Sequence, residues 1–190
     1  MGAEEPHHVG HRERLRKRLL EAGPGALPDY EVLEVLLFAA STRGDTKPLA
    51  KSLIDKFGSL GAVMSAPPDA LRAVKGVGDA GAAQIAVVRE AALRLLRAEI
   101  KEVPVLSSWQ KLVEYCQAQL QFETIENFHI LFLDRKNKLI KDEWQQSGTV
   151  DHTPLYPREV VKRALDLGAS AIILVHNHHS ASLAIPALPA

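Results

Sequence analysis

Residues 171–175 form an unbroken aliphatic run, Ala171, Ile172, Ile173, Leu174 and Val175, which stops at His176, Asn177 and His178. A run of this length, rich in β-branched residues, predicts a buried strand, and a buried strand requires a sheet with other elements packed on it. On an extended chain alternate residues share a side, so His176 and His178 can converge on one point. Neutral imidazoles at the end of a rigid strand are a common means of holding a divalent metal. The same letters also suit two polar residues that open a loop, and this stretch alone leaves both readings standing.

The chain has 190 residues, enough for one small and one medium domain. Lys+Arg and Asp+Glu both number 23, so overall charge points to no polyanionic partner. The single cysteine, Cys116, rules out an internal disulfide framework and a multi-cysteine zinc site. It falls on the core face of an expected helix. No apolar run reaches membrane-spanning length, so the default expectation is a soluble protein in a reducing, cytoplasmic setting without a membrane partner.

From residue 11 to about 100 the apolar residues recur at helical spacing in short segments. A basic helix is expected over 11–20, where Arg12, Arg14, Arg16, Lys17 and Arg18 surround Leu15, Leu19 and Leu20. Such a helix suits either phosphate contact or a solvated face. Asp29 and Asp45 are candidate N-caps for two further helices, and Pro68 opens a third. Within this all-α bundle, Lys75, Gly76, Val77 and Gly78 interrupt two helices, the second expected from Asp79 to about Ala98. Glycines there permit a left-handed turn and close backbone approach. Val77 would fold inward, and the first amides of the following helix would face outward, where the dipole favours an anion. This matches the helix-hairpin-helix pattern, which grips DNA phosphates without reading sequence. Lys75, Gly76, Val77 and Gly78 are its candidate phosphate contacts. A plain helix–helix turn ending in a glycine cap is the equal alternative.

Residues 99–104 read as a linker, giving an expected helical domain over 1–100 and a second domain over 105–190. Ser108 is a candidate cap for a helix carrying Leu112, Val113, Cys116 and Leu120. From Glu126 the periodicity changes. Residues 127–134 read as a strand, 135–138 as a turn and 139–145 as a second strand. Pro157 opens an amphipathic helix that Gly168 ends, and the 170–175 strand follows. A hairpin, a helix and a strand make an α/β domain.

These segments resemble the bacterial RadC-like family, whose core is a JAMM (MPN-type) metallopeptidase domain. The resemblance rests on Glu126, Asn127 and Phe128 with residues 131–134; on Ser147, Gly148 and Thr149; on residues 156–161 with Ala164 and Leu165; and on residues 169–178. Lys75, Gly76, Val77 and Gly78 look like the same family's helix-hairpin-helix region. The resemblance spans roughly residues 11–180. It implies a cytidine-deaminase-like α/β fold and hydrolysis of a peptide or isopeptide bond by zinc-bound water. Carried over, Glu126 is the general acid/base, and His176 and His178 are zinc ligands. A three-ligand site leaves one open position and lowers the pKa of the water held there.

The sequence departs from the family where the third ligand belongs. The proline expected after His178 is His179, the expected serine falls at Pro186, and the ligand aspartate falls at Pro189. Proline has no side-chain donor atom, and no carboxylate follows Asp166. The resemblance therefore implies an incomplete JAMM-like domain, with zinc binding and catalysis impaired. The alternative from a different class is a non-catalytic module that binds DNA or a protein through the helical half. An uncovered sheet edge is a further expectation.

Overall fold

A computed structural model describes residues 10–41, 44–101, 103–120, 127–145, 156–177 and 183–184. The chain divides into two compact units, Met1–Glu90 and Ala91–Ala190.

The first unit is helical. It contains α1 (His11–Ala22), α2 (Asp29–Leu37), α3 (Lys47–Phe57), α4 (Leu60–Ser65), α5 (Pro68–Arg72) and the start of α6 (Asp79–Lys101). Asp29 lies in the first turn of α2 and Pro28 takes the cap position; there the carboxylate complements the helix dipole instead. Asp45 does cap, from one residue further out than expected. Its Oδ1 accepts the Lys47 N–H at 2.9 Å, while Thr46 is the residue at the helix boundary. α4 is absent from the sequence expectations; Ser59 starts it, its Oγ accepting the Ala62 N–H at 3.1 Å. Leu33, Leu37, Leu53, Val63, Leu71 and Ile85 form the centre of the core.

The turn between α5 and α6 has the expected left-handed glycine and inward valine. Gly76 has φ +98°, and a Cβ there would meet Leu49 Cδ1 at 3.3 Å. Val77 is buried in the helical core, whereas Lys75, Gly76 and Gly78 are exposed.

The two units part at residue 90, inside α6 and earlier than the expected linker. The helix runs on to Lys101, and Leu96 and Ile100 belong to the second core. Ser108 ends a 3-10 turn, Val105–Ser108, and its hydroxyl donates back to the Pro104 carbonyl at 3.1 Å. After it comes α7 (Trp109–Leu120). A four-stranded antiparallel sheet has the order β2-β1-β3-β4, with β1 (Phe128–Leu133), β2 (Leu139–Gln145), β3 (Ala171–Asn177) and β4 (Leu183–Ala184). Asp134 Oδ1 organises the β1–β2 turn by accepting the N–H groups of Lys136 and Lys138 at 2.8 and 2.9 Å. Asn137 takes a left-handed φ of 57° there, which asparagine tolerates.

Side chains alternate across the sheet. Leu131, Leu133 and Val175 face one core with Leu112, Tyr115, Cys116 and Leu120. Ile130, Phe132 and Leu174 face the other with Val160 of α8 (Pro157–Asp166). Cys116 is buried as expected, which pushes its thiol up to about 12. Arg163 braces α8 against β2, its Nε donating to Glu143 Oε2 at 2.9 Å, and this pairing holds Glu143 down to about 2. Beyond β1, β3 meets β4 only at His176 and Asn177; among the described residues no strand pairs with that edge over 171–175. No helix among the described residues is long and apolar enough to cross a membrane.

Candidate functional site

β3 runs two residues further than the aliphatic stretch, so His176 and Asn177 belong to the strand. His176 pairs with Phe128 across β1. Paired residues share a sheet face, and the two rings stack at 5.1 Å between centroids with 15° between planes. That stack fixes the imidazole plane. Asn177 points to the other side and is buried, and its Oδ1 accepts the Asn127 N–H at 2.8 Å. The end of β3 is thereby tied to the residue that precedes β1.

Glu126, His178, Pro186 and Pro189 lie outside the described residues. Among the described residues no group of three His, Cys, Asp or Glu side chains gathers as a metal site. The donor set can still be tested by its chemistry. Two imidazoles supply no anionic ligand, and the carboxylate position is a proline. By the resemblance, the two histidines and Pro189 leave the implied three-ligand site one carboxylate short.

At the other candidate interface, much of the basic charge has an internal task. The Arg12 guanidinium donates to the Gly44 carbonyl at 2.9 Å, and Arg12 and Arg16 lie over the Phe38 ring at 4.9 and 5.3 Å. Arg18 pairs with Glu31, and Lys17 with Glu21. Beside the 75–78 turn, Arg72 pairs with Asp69 and with Asp79 in the first turn of α6. A carboxylate thus stands where a phosphate would approach the helix start.

The sequence expectations assigned no role to a buried polar cluster on the α7 side of the sheet. His129 on β1 is 0% exposed and stacks on Trp144 of β2 at 4.7 Å. Its Nε2 lies 3.5 Å from Asp142 Oδ2, which also accepts the Tyr115 hydroxyl, and Arg97 of α6 pairs with Asp142 Oδ1. Burial raises the Asp142 pKa, but His129, Tyr115 and Arg97 more than offset it and hold the carboxyl at about 2. Burial, followed by the bond to Asp142, raises the Tyr115 phenol. The available signal was polar residues at inward positions of two adjacent strands.

Comparison with known families gives two matches. A RadC-like JAB domain matches residues 106–186, and a UPF0758 N-terminal domain matches residues 7–83. No solved structure matches the chain.

Proposed function

We propose that this chain, which belongs to the RadC-like family, has a JAB-type scaffold whose zinc-hydrolase centre is impaired. In the complete form of such a centre, zinc supplies an activated water for attack on a peptide or isopeptide bond. Here His176 and His178 would be its ligands and Glu126 would carry protons. What supports the scaffold half of this reading is the Asn177–Asn127 hydrogen bond. That bond ties the end of β3 to the residue that precedes β1. The impairment rests on Pro189, which supplies no ligand atom where the family has an aspartate. Losing one of three protein ligands is expected to weaken zinc by more than the roughly 10–100-fold typical of outer-shell changes. Metal retention by purified, chelator-treated protein tests this, with less than one zinc per chain expected.

A second reading has support in the exposed 75–78 turn, where Gly76 takes a left-handed φ and Val77 is buried as a helix-hairpin-helix requires. In this reading the turn contacts DNA phosphates. Binding of a duplex by the full chain should then weaken steeply with salt, and Lys75→Ala should reduce the log–log salt slope by about one. Binding that is undetectable, or insensitive to salt, removes this reading.

A further inference from the structure

The buried cluster offers Asp142 more cationic partners than one carboxylate needs. Asp142 Oδ2 already accepts the Tyr115 hydroxyl, and Tyr115 in turn accepts from Gln119 Nε2 at 3.0 Å. Oδ1 is paired with Arg97. His129 is fully buried at 3.5 Å from the same carboxylate, yet neither ring nitrogen makes a hydrogen bond. A neutral imidazole has one N–H to donate, and a protonated one has two. The proton would put a donor on Nε2 facing Asp142 and a positive charge over the Trp144 face, 4.7 Å away, with the Tyr115 ring tilted at 6.0 Å.

The surroundings decide which group changes charge. From β2 comes Asp142, a carboxylate that ordinarily stays ionised between pH 5 and 8. From α7 come Tyr115 and Cys116, both raised by burial and so neutral over that range. From α6 comes Arg97, which is always charged. The β3 partner of His129 is Val175, which has no charge. Lys141 and Glu143 alternate onto the opposite face with Phe132 and Ile130. Imidazole is the side chain that ordinarily changes charge in this interval. Arg97 is also the one partner with a way out, its side chain being 45% exposed while Asp142 is 8% exposed.

We propose that His129 is a proton-operated partner switch: neutral, it leaves Asp142 to Tyr115 and Arg97; protonated, it takes the carboxylate and releases Arg97 to solvent. The device would loosen the tie between the last turns of α6 and β2 as pH falls, without unfolding the sheet. Two like charges on one carboxylate repel, so Arg97 and the His129 proton compete directly.

Trp144 reports the event, because a protonated imidazole stacked on an indole quenches its emission. The full chain has two tryptophans, so Trp109→Phe leaves Trp144 as the only one. Its emission should fall in a single step as pH is lowered, and His129→Gln should abolish that step. Arg97→Gln keeps the imidazole and removes its competitor, so it should move the midpoint up by about one pH unit. A purely structural Arg97 predicts no such shift. Absence of a step, its survival in His129→Gln, or an unmoved midpoint in Arg97→Gln each overturns the proposal. If His129→Gln does not fold by circular dichroism, the Arg97→Gln midpoint decides.

Discussion

Asp142→Ala is expected to lower the unfolding free energy at neutral pH by about 3–5 kcal/mol, the range for breaking a buried ion pair by removing one partner. The reason is local. The Tyr115 hydroxyl and the His129 ring stay buried and lose the carboxylate, and Arg97 loses its counter-ion. Denaturant unfolding followed by tryptophan emission measures it, since Trp109 and Trp144 both lie in the second unit. The effect has a defined pH dependence. The folded-state pKa of Asp142 is lowered from 3.8 to about 2, so the fold favours the ionised form. That contribution, about 2 kcal/mol by linkage, is complete above roughly pH 5 and is lost as pH falls through 4 toward 2. The gap between parent and variant should narrow in acid. A gap that stays constant from pH 7 to 3 would show that Asp142 acts through packing alone.

Leu33→Ala is the counterpart in the helical unit. Leu33 is 0% exposed on α2 and packs in the cluster with Leu53, Leu71 and Ile85. Truncation removes the transfer free energy of the side chain and leaves a cavity, so about 2–5 kcal/mol is expected. Leu33→Ile preserves volume and should cost less than about 1.5 kcal/mol. The helix signal at 222 nm in a denaturant series reads both. Equal losses in the two variants would mean that packing around α2 is set by shape in a way burial does not reveal.

The elements legible in the sequence are those with a local cause. The change of periodicity at residue 126 marked β1 and β2, and the Asp134 turn between them follows from hydrogen bonds within five residues. Pro157 and Gly168 bracket α8 by fixed backbone preferences, φ at glycine being 65°. α4 was too short for a helical period to show, and only its Ser59 cap betrays it. The division inside α6 was hidden because helix propensity continues straight through it. What changes at residue 90 is which core the side chains enter, a tertiary matter.

The candidate site divides in the same way. The His176 position was legible because the aliphatic run must end somewhere, although the strand runs two residues further. Asn177 carried no signal, since its role depends on the register that brings Asn127 opposite it. The His129–Asp142 contact was hidden for the same reason. It joins two strands and needs Arg97 and Tyr115 from two helices, a coincidence that no spacing rule encodes.

Zinc content and affinity of purified, chelator-treated protein, beside a His176→Ala/His178→Ala variant, test the central claim most directly. An impaired centre predicts no stoichiometric zinc in the parent chain and no difference from the variant after dialysis. Tight binding of one zinc per chain, lost in the variant, would contradict it. A third ligand would then exist, and Glu126→Gln would become the test of the hydrolase reading.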